Sequence, residues 1–163
     1  MHRQIARIVL LTVLSLLCGH AQTILIARHA ERTGEPNPPL NEDGKRRAEA
    51  LGKFLADAGI VYFYTSDTIR AQQTAEPTAR RMHRQVEIVK QDDFEGLIAR
   101  IRETADPAKP TLVIGHRASV PRIVKALGGG DIAPLGSDEH DRLIVLTMLP
   151  GGTASIVTLR YAP

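Results

Sequence analysis

Two short runs, Thr23-Ile24-Leu25-Ile26-Ala27 and Thr111-Leu112-Val113-Ile114, constrain this chain more than any other feature. A strand with one wet face alternates apolar and polar residues; these two do not, so they are buried on both faces. A sheet that hides both faces needs helices above and below it, which is the arrangement of parallel sheets in α/β proteins. The intervening segments agree. A turn-rich stretch from Thr33 to Pro39 precedes a helix expected from Glu42 to Ala58, with Ala48, Leu51, Leu55 and Ala58 on one face and Gly59 as its stop. Ile60 to Tyr64 reads as the second strand. Thr68 to Met82 reads as mostly helical with an interruption near Pro77, and Val86 to Val89 as a third strand. Phe94, Leu97, Ile98 and Ile101 recur at helical spacing up to the stop at Asp106-Pro107. Val120, Ile123, Val124 and Leu127 do so again, with Pro121 in the first turn and Gly128-Gly129-Gly130 at the end. Leu143 to Met148 and Ala154 to Tyr161 flank Pro150-Gly151-Gly152 as a hairpin, which makes the last strand antiparallel. The expected fold is a three-layer α/β/α sandwich around a mostly parallel central sheet.

The chain has 163 residues, enough for one domain with its own core. Ahead of the first strand, Arg3 and Arg7 precede the apolar stretch Ile8 to Leu17, and Gly19-His20-Ala21 places small residues before Gln22. This reads as an export signal over residues 1–21, too short for a transmembrane helix, with a buried core helix as the alternative. The domain is then 22–163, and the expected location is periplasmic or secreted, with no membrane span after cleavage. Cys18 is the single cysteine and falls inside the signal, so the mature chain has no disulfide. As a lipid-attachment site it is disfavoured by the bulky Leu17 beside it. Removing Arg3 and Arg7 leaves 19 basic residues against 18 acidic, a net charge of +1. The basic residues are interleaved with acids, and there is no Trp to stack on bases, so nucleic acid is not expected as a partner.

Chemistry in an open α/β sheet gathers beyond the carboxyl ends of its strands. The first strand runs into Arg28-His29, and the strand Thr111 to Ile114 runs through Gly115 into His116-Arg117, so two of the six histidines stand at matched strand ends. Either histidine alone could merely cap a helix or bond a carbonyl; a pair beside arginines favours a site. Arg70 follows the second strand and can reach the same place, although alone it would read as a solvated helix-face residue. Two imidazoles with two guanidiniums suit an oxyanion better than a metal. Arginine matches phosphate oxygens with a planar fork, and a neutral imidazole keeps a lone pair for nucleophilic attack.

These blocks resemble the histidine phosphatase superfamily, also called the phosphoglycerate mutase-like family. Leu25-Ile26-Ala27-Arg28-His29-Ala30-Glu31 is similar to its Arg-His signature. Pro39-Leu40-Asn41-Glu42-Asp43-Gly44 with Ala48-Glu49-Ala50-Leu51-Gly52 is similar to the helix that follows. Tyr64-Thr65-Ser66 through Arg70-Ala71-Gln72-Gln73-Thr74-Ala75 resembles the segment of the second arginine, and Val113-Ile114-Gly115-His116 that of the second histidine. The resemblance spans Thr23 to Tyr161 in order. It implies a phosphoglycerate mutase-like fold and a phosphatase that hydrolyses phosphate monoesters or phosphoramidates of small substrates. His29 would carry the phosphoryl group, while Arg28, Arg70 and His116 hold its oxygens; no metal or other cofactor is implied.

The chain departs from the family in one respect. The larger members carry a glutamate proton donor between the third strand and the second-histidine strand; this chain has only Gln91-Asp92-Asp93-Phe94-Glu95-Gly96 there and lacks their long cap insertion. Asp92, Asp93 and Glu95 are the candidates, with helix capping as their alternative role. Glu31, Arg32, Asp138, Glu139, His140 and Asp141 read as ordinary surface residues, with the lining of the site mouth as the alternative. Three competing functions stay open: a phosphohistidine protein phosphatase, a non-catalytic phosphate- or phosphopeptide-binding module, and a metallohydrolase built on His29 and His116. A mutase is disfavoured, because an uncapped chain excludes water poorly.

Overall fold

The computed structural model describes residues 21–163 except 35, 105, 107, 150 and 151. The expected export segment up to position 20, with Cys18 in it, lies outside the described residues, as do Pro107, Pro150 and Gly151. The strands are β1 (Gln22–Arg28), β2 (Tyr62–Ser66), β3 (Glu87–Val89), β4 (Thr111–Gly115), β5 (Arg142–Met148) and β6 (Ala154–Arg160). The helices are α1 (Glu42–Phe54), α2 (Ile69–Arg81), α3 (Phe94–Glu103) and α4 (Ser119–Ala126). The six strands form one sheet in the order β3-β2-β4-β1-β5-β6.

The doubly buried runs lie side by side at its centre, β1 parallel to β4 with Leu25 opposite Leu112 and Arg28 opposite Gly115. Alternation along each strand divides the core in two. Ile24, Ile26, Val113, Ile144 and Leu146 face Ile98 and Ile101 of α3 and Val120, Ile123 and Val124 of α4. Leu25, Ala27, Leu112, Ile114 and Leu143 face Leu51 of α1 and Ala71, Ala75 and Ala79 of α2. Two helices therefore cover each face, which makes the three-layer sandwich.

Three sequence expectations change in detail. The first helix stops at Phe54, because Ala56 and Ala58 bond back three residues, to Lys53 and Leu55, and tighten the chain toward Gly59. Helix α2 runs through Pro77 without interruption. The ring forgoes one backbone bond and is buried where α1 comes close; a Cβ at Gly52 would lie 3.3 Å from the Pro77 carbonyl carbon. The expected reversal falls on β5, which pairs antiparallel with both β1 and β6, so β6 runs in the direction of the four parallel strands.

Two details fix the loop after β1. Asn41 caps α1 by accepting from the Gly44 amide at 2.8 Å, and its own amide donates to the Glu31 carbonyl at 3.1 Å. A Cβ at Gly44 would stand 2.1 Å from that same Glu31 oxygen, so only glycine lets α1 approach so closely.

Candidate active site

β1 and β4 end level with one another, and the His29 amide donates to the Gly115 carbonyl at 2.9 Å. The two histidines that follow these strands meet edge to face, with ring centroids 5.2 Å apart. His29 Nδ1 donates to the Ala30 carbonyl at 2.8 Å. Because a carbonyl can only accept, the proton sits on Nδ1 and Nε2 keeps the lone pair. Arg70 enters from the first turn of α2 and directs its Nε to His29 Nε2 at 3.3 Å. The Thr74 hydroxyl ties the two sides together, accepting from the Ala30 amide at 3.0 Å and donating to the Arg70 carbonyl at 2.7 Å.

His116 is held differently. Its Nε2 lies 2.8 Å from the Ser66 hydroxyl, which also bonds Thr68 Oγ1 at 2.9 Å. Its amide donates to Ser119 Oγ at 2.8 Å, and a Cβ at Gly115 would crowd that oxygen at 3.0 Å.

Both imidazoles are kept neutral. Burial, followed by the neighbouring His116, Arg70 and Arg28, pushes His29 down to about 3 against the opposing pull of its bond to Ala30. Burial, then Arg70 and Arg28, pushes His116 down to about 4. Arg28 is itself lowered by burial and by the nearby Arg117. Its Nη1 donates to the carbonyls of Gly136, Ser137 and Glu139 at 2.9, 2.8 and 3.1 Å, while its Nε is buried with no partner among the described residues. A buried guanidinium N–H with nothing to bond is costly, which marks Arg28 as a group held in place by its surroundings.

Arg28, His29, Glu31, Arg32, Asp138 and His140 line an open cleft of about 400 Å³. The expectation that the loop residues are ordinary surface is thus corrected for Glu31, Arg32, Asp138 and His140. His140 is buried, and its Nδ1 donates to the His29 carbonyl at 2.7 Å. Its own carbonyl accepts from the Tyr161 hydroxyl at 3.0 Å. Glu31 pairs with Arg47 at 2.6 Å. Glu139 and Asp141 are engaged instead with Arg142 and Arg160.

The three acid candidates stand apart from this cleft. Asp93 caps α3, accepting from the Gly96 amide at 3.0 Å, and Asp92 and Glu95 are exposed beside it. Asp93 does share a narrow crevice of about 30 Å³ with His116, Ser66 and Phe94. Among the described residues no group of three or more His, Cys, Asp or Glu side chains is placed to hold a metal ion. A separate open hollow of about 680 Å³ between Lys53, Phe54 and Pro163 is lined by no histidine.

Sequence reasoning gave no role to Ser66 or Thr74, although both lie in quoted blocks. A hydroxyl closing a buried strand, and a threonine one helical turn beyond Arg70, were the available signals.

The sequence matches the histidine phosphatase superfamily (branch 1) over residues 16–97, a span that holds Arg28, His29 and Arg70. No curated protein matches it. Among solved structures, the chain is similar to a mycobacterial hydrolase at 14% identity and a TM-score of 0.72, covering 88% of this chain and 100% of that one. It is also similar to a mycobacterial glucosyl-3-phosphoglycerate phosphatase, at 13% identity and TM-score 0.69 over 88% and 100% of the two chains. A third, the protein histidine phosphatase SixA in complex with tungstate, gives 18% and 0.68 over 85% and 97%. At such identities the likeness is one of fold.

Proposed function

The chain belongs to the histidine phosphatase superfamily, branch 1, and on that footing we propose that it is a metal-independent phosphatase acting on small phosphate monoesters or phosphoramidates through a phosphohistidine on His29. One observation carries the reading. The His29 ring spends its Nδ1 proton on the Ala30 carbonyl and leaves a neutral Nε2 beside Arg70. That is the state an imidazole needs in order to attack phosphorus.

In this reading the Nε2 lone pair forms the N–P bond while the ester or amide bond to phosphorus breaks, and water then releases phosphate and returns the pair to the ring. Arg70, His116 and the unpartnered edge of Arg28 hold the equatorial oxygens. Three donors fixed before substrate arrives need no reorganisation as charge develops. The proposed setting is outside the cytoplasm, resting on Arg3, Arg7 and the apolar stretch Ile8 to Leu17. The expected cut after Ala21 falls immediately before β1, which starts at Gln22.

The test is an acid-quenched and a base-quenched reaction with a labelled aryl phosphate. The expected result is an acid-labile, base-stable adduct on the wild type and none on His29→Ala. Binding of phosphate without turnover would identify a binding module instead, and loss of activity on chelation would point to a metallohydrolase.

A further inference from the structure

Deepening the phosphatase reading, on which it rests, we infer that His140 is the proton-transfer residue of the site, giving a proton to the leaving oxygen and taking one from the attacking water. The reason begins with the segment that carries it. Residues 127–141 join α4 to β5 without a helix or strand, and a stretch of that length is rarely idle. This one is tightly held. Arg28 binds three of its carbonyls, Arg117 binds that of Leu135 at 3.1 Å, and Arg142 binds that of Ala133 at 2.9 Å. Leu135 is sunk in the core. The Glu139 carboxylate accepts from the Gly136 amide at 2.9 Å and from Arg142 at 2.7 Å.

What all this places is the imidazole of His140, its centroid 5.7 Å from that of His29, on the wall of the same cleft. Nδ1 is committed to the His29 carbonyl, so the proton there is fixed and Nε2 is the nitrogen left for the cleft. The acids fit the task less well. Glu31 is held below the usual carboxylate range by its bond to Arg47, against the effect of burial; Asp138, at the cleft mouth, is exposed to solvent; and the three candidates near α3 line another crevice or none.

The protons balance. The substrate enters as its monoanion and passes its proton to His140 Nε2; in the first step His29 Nε2 bonds phosphorus, the ester P–O bond breaks, and the departing oxygen takes that proton. In the second, water oxygen bonds phosphorus, the N–P bond breaks with its electron pair returning to His29, and the water proton passes by way of His140 Nε2 to the departing phosphate. Burial, with Arg28 and Arg47, holds His140 below the ordinary histidine value against the pull of the His29 carbonyl and Glu31, so the free ring is neutral and its Nε2 proton comes with the substrate.

The variant His140→Asn keeps an amide donor where Nδ1 meets the His29 carbonyl and removes Nε2. Single-turnover formation of the phosphoenzyme is followed with an alkyl phosphate, glycerol 2-phosphate, and with 4-nitrophenyl phosphate, whose leaving group needs no proton. The expected loss is about 10²- to 10⁴-fold for the alkyl ester and under about tenfold for the aryl ester. If His140→Asn does not fold, His140→Gln, which keeps a donor near Nε2 but cannot release a proton, gives the same selective loss. Equal losses on both esters, or none, in a folded variant of an active enzyme overturn the assignment and leave the phosphatase reading intact. A wild type that forms no adduct with either ester overturns the phosphatase reading itself.

Discussion

The ends of β1 and β4 bear the same signature, a histidine flanked by arginine, and sit in register, yet the two rings are wired in opposite senses. At the end of β1, the ring is fixed through Nδ1 by a backbone carbonyl and its Nε2 meets the Nε of Arg70. At the end of β4, Nε2 is itself the bonded atom, held by the Ser66 hydroxyl. A carbonyl sets one tautomer; a hydroxyl accepts either. The first arrangement prepares an atom to form a bond to phosphorus, and the second positions a ring beside the charge that results. The neighbours of a histidine, more than its place at a strand end, decide which task it can perform.

Replacing each ring breaks the comparison most directly. His29→Ala removes the bonding atom, so turnover falls by about 10⁴-fold or more and the adduct disappears, as trapping would report. His116→Ala removes one stabilising group, so the expected loss is about 10²- to 10³-fold and the adduct still forms, more slowly. If the adduct vanished in His116→Ala and persisted in His29→Ala, the roles would have to be exchanged.

Acid treats the two rings alike, which sharpens the contrast. With His29 at about 3 and His116 at about 4, both stay neutral through the physiological range. For an aryl phosphate, kcat/KM is therefore level as pH falls to about 4, then declines, reaching roughly tenfold per unit below about 3 as His29 takes up a proton. Stability has the matching sign. Both folded values lie below the ordinary histidine value near 6.5, so the unfolded chain binds protons first. The stability these rings contribute is complete above about 6.5 and is lost as pH falls toward 4 for His116 and toward 3 for His29. Thermal melts between those limits should show a shallower decline in His29→Ala.

Much of this was legible in the sequence because its signals are local. Ile24 to Ala27 and Leu112 to Ile114 announce a covered sheet by composition alone, and the strand-end histidines follow from the strands. His140 carries no such mark, because its partner is a backbone oxygen 111 positions away and nothing in Asp138-Glu139-His140-Asp141 has a period. Arg28 could be read as an anion holder, but not as the anchor of the loop that brings His140; half of its fork is spent on carbonyls of residues 136–139. Pro77 misled for a related reason. A proline forbids one hydrogen bond, and whether a helix survives that loss depends on what packs beside it, here α1.

The smallest expected effect tests the wiring itself. Ser66 is nearly buried and its hydroxyl reaches both His116 Nε2 and Thr68 Oγ1. In Ser66→Ala the ring keeps its place on the backbone but loses the bond that sets its angle. One such bond is worth about 1 kcal/mol, or roughly fivefold in kcat. If Ser66 acts through His116, that fivefold should vanish when the same change is made in His116→Ala, because the ring it orients is gone. A cost of equal size in both backgrounds would mean that Ser66 supports β2 or Thr68 instead, and that His116 needs no hydroxyl to stand where it does.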